Sequence, residues 1–426
     1  MTVTFLIGSL LVFLALRVPV AVALGLSSVL TLSFFGQQSL LSLAQRFFHA
    51  MEVYPLLAVP FFILAGTFLT TGGVAKRLIA FAVALTGWIR GGLAMGSVLA
   101  CMLFAAISGS SPATVVAVGS ITIAGMVGAG YSRAFATGVV TNAGTLGILI
   151  PPSIVMVVYG AITETSVGDL FMAGVVPGVI LTVAMMIVIH LIARRDAQPL
   201  PPAVSLRDVL RTGRDAFWGL ALIVLVLGGI YLGVFTPTEA AAVSAVYALV
   251  VAVFVYGDLK PSRIPAVLIE SVRVTTMLMF IVANAYLFSF VLATEQIPQA
   301  LSTAVLGLDL PPWAFLLLVN VILLVAGNLM DPTSVVLILA PIVFPLAIGL
   351  GIDPVHFGIV MVVNMEIGMV TPPVGLNLFV ASGVSGLRLG EVIRASLPWL
   401  GLLLAFLLLV TYVPALSLWL PNTIRG

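Results

Sequence analysis

The chain has 426 residues, 62% apolar and only 8% charged, with 17 Lys and Arg against 15 Asp and Glu and a net charge of +2. Soluble domains carry roughly a quarter charged residues, so a soluble globule, a disordered chain, a collagen, a disulfide scaffold and a nucleic-acid binder are all excluded. A helical bilayer span takes about 20 residues, which leaves room for on the order of a dozen spans.

The predicted fold class is therefore an all-α polytopic membrane protein. Barrel strands alternate apolar and polar residues, whereas the runs at residues 220–232 and 400–410 are continuously apolar. The opening MTVTFLIGSLLVFLALRVPV has no basic region before its apolar stretch and is interrupted by Arg17. It reads as a retained first span, not a cleaved signal peptide. Lys76 and Arg77, and again Lys260 and Arg263, mark points outside the spans, and Cys101 lies in an apolar run where packing is its expected role.

Residues 1–193 form a first half. Within it a re-entrant hairpin is expected near residues 95–127, its tip at Ser108-Gly109-Ser110-Ser111-Pro112 between two apolar runs. A broken helix is expected near 132–163, opened by Gly147 and the Pro151-Pro152 pair. Each proline removes an amide donor and clashes with the preceding turn. Residues 194–216 form a polar connector. Five arginines (Arg194, Arg195, Arg207, Arg211, Arg214) place it on the cytoplasmic side. Ser205, with Asp208 three residues on, predicts the start of a short interfacial helix.

Residues 217–426 repeat the plan. A second hairpin is expected near 313–348, with its tip at Gly327-Asn328-Leu329-Met330-Asp331-Pro332, and a second broken helix near 354–384, opened by Gly368 and Pro372-Pro373. Gly128 and Gly349, Gly147 and Gly368, Pro151 and Pro372, and Pro177 and Pro398 are all 221 residues apart, while Pro112 and Pro332 are 220 apart. Two copies in one register, inverted if an odd number of crossings separates them, are the signature of secondary transporters.

Broken backbone at membrane depth must be buried in protein or line a wet cavity. Half-helix N-termini attract anions, and freed carbonyls and C-terminal ends hold small cations. Asp331, an acid between apolar runs, is a functional candidate and also a natural cap for the helix starting at Pro332. Ser108, Ser110 and Ser111 are either caps or oxygen ligands for a hard cation. Asn142 and Asn364 precede the double prolines and could bond the opened backbone; Asn377, Thr163 and Glu164 follow the breaks and could line a cavity; of these, Asn142, Thr163, Asn364 and Asn377 are the candidate substrate-binding residues. Glu52 and Glu366 have helix-to-helix pairing as their ordinary role. His49, His190 and His356 are scattered, and there is no HExxH and no GxxxxGK[ST], so neither a metalloenzyme nor an ATP-driven pump is indicated.

Residues 51–66 (MEVYPLLAVPFFILAG), ISGSSPATVVAVGSI, GILIPPSIVMVVYG and GIDPVHFGIVMVVNMEIGMVTPPVGLNLFV resemble the large, DctM-like membrane subunit of the tripartite ATP-independent periplasmic (TRAP) transporters, over nearly the whole chain. The resemblance implies a multi-pass protein of the bacterial inner membrane, with no enzymatic activity and no organic cofactor. It implies sodium-coupled import of an organic acid (a sialic acid, a C4-dicarboxylate or a related carboxylate) by an elevator mechanism. It also implies two partners, a small four-helix membrane subunit and a soluble periplasmic binding protein. Carried onto this chain, sodium sites would lie at Ser108, Gly109, Ser110 and Ser111 with Gly147 and Pro151, and at Gly327, Asn328, Met330 and Asp331 with Thr371 and Pro372. A stand-alone cation–carboxylate symporter would instead transport without a binding protein. A channel would want a continuous polar pore, whereas the polarity here is concentrated at the breaks.

Overall fold

The computed structural model describes residues 2–35, 40–195, 205–297 and 310–425. Among these residues every regular element is helical, and nine helices are long and apolar enough to cross a membrane. Backbone groups in lipid have no water to bond, so each segment satisfies its own amides and carbonyls.

The first apolar stretch is a helix pair, α1 (Thr2–Ala15) and α2 (Val20–Phe35). Arg17 sits in the intervening turn with φ 62°, so the run bends there and does not continue as one straight span. After α3 (Leu40–His49) come α4 (Ala58–Thr71) and α5 (Val74–Thr86). Three later helices pack on these: α12 (Leu206–Tyr231) on α5, α13 (Pro237–Val250) on α4, and α14 (Ile264–Thr294) on α2 and α4. Together they form an outer frame, tied at one point by the ion pair of Arg77 with Asp258.

Within the frame lies the first repeat. The antiparallel pair α6 (Gly92–Ser108) and α7 (Ser111–Gly128) is followed by an interrupted helix, α8 (Arg133–Ala143), α9 (Leu146–Leu149) and α10 (Ile154–Thr163), and then by α11 (Val167–Arg195). Cys101 is fully buried in α6, as a packing residue. The second repeat consists of α15 (Pro312–Gly327), α16 (Pro332–Gly349), α17 (Pro354–Gly368), α18 (Leu376–Ser385) and α19 (Leu389–Tyr412), closed by α20 (Ala415–Arg425).

The boundaries sharpen the register of the repeat. Ser111 and Pro332 open α7 and α16, Gly128 and Gly349 end them, and Arg133 and Pro354 open the two broken helices; each pair is 221 residues apart. The 220-residue pairing of Pro112 with Pro332 is corrected accordingly: proline is the second residue of α7 and the first of α16. The second tip carries two extra residues, four between α15 and α16 against two between α6 and α7.

Arg133, at the start of the first broken helix, donates from Nη1 to Ser385 O at the end of the second (3.2 Å). Tyr159, near the end of the first, donates from Oη to Pro354 O at the start of the second (2.8 Å). The broken helices therefore run antiparallel, and the two copies are inverted.

The connector differs from expectation. Ser205 does cap a helix, accepting from Arg207 N at 3.2 Å, but no glycine or proline stops that helix before the apolar run. Its polar first turns continue unbroken to Tyr231 as α12. They are not a separate short interfacial helix. Residues 196–204 of the connector lie outside the described residues.

Candidate functional site

At the first tip α6 ends on Gly109, whose φ of 60° is a left-handed cap that glycine adopts without a Cβ penalty. Ser110 is extended, and Pro112 in the first turn of α7 lacks an amide that would have no partner. The tip rests on the first break. A Cβ on Gly147 would fall 2.6 Å from Ser110 O and 2.7 Å from Ser111 Cα, so only glycine allows the approach. Ser111 Oγ donates to Gly144 O at 2.8 Å, and Thr114 Oγ1 donates to Ser110 O at 2.8 Å. Ser108 Oγ lies 3.2 Å from Thr114 Oγ1. Serine hydroxyls and freed carbonyls, including that of Pro152 against Gly109, thus gather where the sequence placed the first cation site. The Pro151-Pro152 and Pro372-Pro373 bonds are both cis.

The second tip is built the same way. A Cβ on Gly368 would lie 2.7 Å from the carbonyl carbon of Gly327. Val374 N donates to Asn328 O at 3.3 Å, and Asn377 N donates to Met369 O at 3.0 Å. Thr371 Oγ1 donates to Ile367 O at 2.7 Å, within its own helix end. Asp331 caps α16, its Oδ2 accepting from Ser334 N (3.0 Å) and its Oδ1 from Ser334 Oγ (2.5 Å). Ser110 occupies the equivalent cap position of α7 without a side-chain bond. The tips are alike in backbone and unlike in charge.

Contacts between repeats join the two sites. Asn377 Nδ2 donates to Ser111 Oγ at 2.7 Å, which places the N-termini of α18 and α7 side by side. Two helix N-termini together make a favourable place for a carboxylate. Thr145 lies 2.5 Å from Glu366 Oε1. Asn364 Nδ2 donates to Asn320 Oδ1 at 2.8 Å, and Asn320 Nδ2 to Thr411 Oγ1 at 3.0 Å.

Of the four residues expected to face substrate, Asn142, Asn364 and Asn377 are fully buried around the breaks. Thr163 is not brought to them. It ends α10, nine residues from the break, and bonds Tyr159 O and Thr165. Glu52 does not pair helix to helix; it bonds His49, three residues away, on an exposed segment. Asn320, Ser334 and Thr145 were missed. Asn320 stands alone in an apolar run, and only its spacing from other helices, invisible in one sequence, makes it part of a polar chain.

Among the described residues, buried Asn142 Oδ1, Asn328 Oδ1, Asn364 Oδ1, Asn377 Oδ1 and Glu366 Oε2 have no hydrogen-bond partner. Each unmet buried acceptor costs about 1–3 kcal/mol, so oxygens of this kind clustered at the breaks suit a hard cation, which takes oxygen ligands. A cavity of about 340 Å³ opens beside the first tip, between Ser108 and Ser110, Thr67 and Thr70 of α4, and Glu270 of α14. A larger one, about 740 Å³, surrounds the far end of α10, where Arg425 pairs with the buried Asp169.

Two hairpin tips seated on two helix breaks, in inverted copies within an apolar helical body, are the architecture of a multi-pass secondary transporter. The fold resembles the solved YdaH transporter of Alcanivorax borkumensis, with a TM-score of 0.64 at 15% identity over 90% of this chain and 88% of that one. The chain belongs to the DctM family of TRAP permeases: the family model described as "Tripartite ATP-independent periplasmic transporter, DctM component" matches residues 7–416. It is 64% identical over 400 residues (94% of each chain) to the C4-dicarboxylate TRAP transporter large permease protein DctM of Pseudomonas aeruginosa. It is 37% identical over 383 residues (90% of each) to the sialic acid TRAP transporter large permease protein SiaM of Vibrio cholerae. It is a transporter subunit and not an enzyme.

Proposed function

We propose that this chain is the membrane subunit of a sodium-coupled importer of C4-dicarboxylates. In this reading it works with a small four-helix subunit and a periplasmic binding protein that delivers the acid. The observation that carries the proposal is the pairing of each tip with its own break, Gly147 on Ser110 and Gly368 on Gly327. The carboxylate class is supported by the 64% identity to a relative named for C4-dicarboxylates.

Sodium, as cargo, binds at each tip and break through Ser108–Ser111 with Gly147 and Pro151, and through Gly327–Asp331 with Thr371 and Pro372. Occupancy orders the tips. The adjacent N-termini of α7 and α18 then favour the substrate carboxylate, with Asn377 at the same place. The two hairpins and broken helices move as a unit against the frame of α2, α4, α13 and α14, in an elevator cycle. The smaller cavity supports this reading, because it lies between the first tip and the frame residues Thr67, Thr70 and Glu270.

With the arginine-rich connector cytoplasmic, α11 crosses from Val167 outside to Arg195 inside. The larger cavity at the start of α11 then opens to the periplasm, on the side from which a binding protein would deliver.

The test is uptake into liposomes holding this chain, its small subunit and the binding protein. Uptake that follows an inward sodium gradient, and is lost in the double variant Ser110→Ala with Asp331→Ala, supports the proposal. Uptake indifferent to sodium sinks it, and full uptake without the binding protein points to a stand-alone symporter.

A further inference from the structure

The frame (α2, α4, α5, α12, α13 and α14) meets the body of hairpins and broken helices (α6–α11 and α15–α20) through apolar contacts such as Phe62 against Phe171. Outside the turn that joins α5 to α6, two side-chain hydrogen bonds cross between them among the described residues. Both come from tyrosines of the frame. Tyr286 Oη, on α14, donates to Ala161 O at 2.9 Å, and Tyr231 Oη, at the end of α12, donates to Phe171 O at 3.3 Å. Ala161 lies in the last turn of α10, where carbonyls lack a partner further along the helix. Tyr286 fills that place from another part of the molecule. Phe171 lies inside α11, and the longer bond from Tyr231 is a second contact beside the first.

The counterpart of this contact in the other repeat is open. α10 ends on Glu164 (φ 56°) and α18 on Gly386 (φ 72°), left-handed residues 222 apart, so Ala161 corresponds to Gly383. A Cβ on Gly383 would meet nothing within 4 Å. α10 packs on α4 and on the frame turn Tyr54–Leu57, whereas α18 packs on α7, α8 and α19 of the body itself. The frame helices differ in the same way. α4 and α14 are followed by the left-handed residues Gly73 and Gln296, 223 apart, which pairs Tyr286 with Ile63. Arg17 and Gly233, left-handed residues 216 apart after α1 and α12, pair Tyr231 with Ala15. Each tyrosine has an aliphatic counterpart that cannot form a hydrogen bond.

We propose that Tyr286, assisted by Tyr231, is a one-sided latch that holds the body in one end state, closed to the periplasm and open to the cytoplasm. This rests on the elevator reading above. With the connector cytoplasmic, α10 ends on the periplasmic side, and the inversion of the copies puts the end of α18 on the cytoplasmic side. In the opposite end state inverted repeats exchange parts. Ile63 then stands toward Gly383, and no side-chain bond replaces the ones broken. Tyr286 is a positioning residue: it touches neither cation nor acid, and it sets how the two states are populated.

The experiment measures spin-label distances on the purified chain in lipid, in a Cys101→Ala background, Cys101 being the sole cysteine. Labels go on Leu232→Cys of the frame and Ala129→Cys of the body, both exposed. The two positions lie toward opposite membrane faces, so movement of the body toward the periplasm shortens their separation. Tyr286→Phe is expected to shift the ratio of the two populations toward the shorter separation by about 2- to 10-fold. Tyr231→Phe should shift it the same way by less. Tyr247→Phe is the control: Tyr247 Oη donates to Trp218 O at 2.9 Å within the frame, so its loss should lower the melting temperature and leave the ratio unchanged. Two populations whose ratio ignores Tyr286→Phe, or moves equally in Tyr247→Phe, overturn the latch and leave the elevator reading standing. A single distance in every variant, with uptake intact in liposomes that also hold the small subunit and binding protein, overturns both. Should Tyr286→Phe fail to fold, Tyr231→Phe decides alone, and an unmoved ratio there overturns the proposal.

Discussion

Thr145 and Glu366 are 221 residues apart in the chain and 2.5 Å apart in space, and 221 is also the spacing that relates the two repeats. Residues made equivalent by a two-fold axis can touch one another only at that axis. The pair therefore marks the pseudo-two-fold of the molecule, with one tip-and-break site on either side of it.

Thr145→Val should be destabilising by about 1–3 kcal/mol, since it strips the buried Glu366 of its one hydrogen-bond partner among the described residues. Thr145→Ser should retain most of the stability. Thermal unfolding of both variants in detergent checks the contrast.

Gly147→Ala and Gly368→Ala should each abolish or sharply reduce uptake. The added methyl would sit 2.6–2.8 Å from tip backbone, and overpacking of this kind costs about 1–3 kcal/mol in a well-packed core. Each substitution should raise the sodium concentration needed for half-maximal uptake, because it lifts one tip from its break. Gly125→Ala, with open space around its Cβ position, is the control and should behave as wild type.

Asp331→Asn should preserve the α16 cap on Ser334 N while removing the charge, and Asp331→Ala should lose the cap as well, at about 1 kcal/mol. If the carboxylate serves sodium, both variants weaken sodium dependence, and only the alanine variant lowers the melting temperature. Sodium titrations of uptake alongside thermal melts separate the two roles.

Ser111→Ala and Asn377→Ala should be strongly non-additive. The two side chains share one 2.7 Å hydrogen bond, so the double variant should cost little more than the worse single one, a coupling of about 0.5–3 kcal/mol. A double-mutant cycle on thermal stability measures it. Strict additivity would mean the two repeats are not joined there.

The apolar runs and the doubled Gly and Pro signals made the helices, the tips and the breaks readable from composition alone, because each rests on local backbone chemistry. What local chemistry does not encode is which faces meet. Asn377 and Ser111 are 266 residues apart, and nothing at either position names the other. Asn320 looked like an impurity in an apolar run for the same reason. The connector misled for a different one. Its polarity falls away near Phe217, which suggested an end, but no residue there stops a helix, and α12 runs through.

The broken helix from Arg133 to Thr163 is buried inside the protein along nearly all of its length. α8 packs against α19 and α18, and α9 and α10 against α17, all parts of the chain that a ribosome makes last. When residues 133–163 first enter the membrane, α6 and α7 already cover one side of α8 and α9, but Thr141 and Thr145 lack the second-half partners Asn377 and Glu366. The first half therefore cannot finish folding before the second is synthesised, and a chain ending at the connector would leave the side of this segment that meets α17, α18 and α19 uncovered.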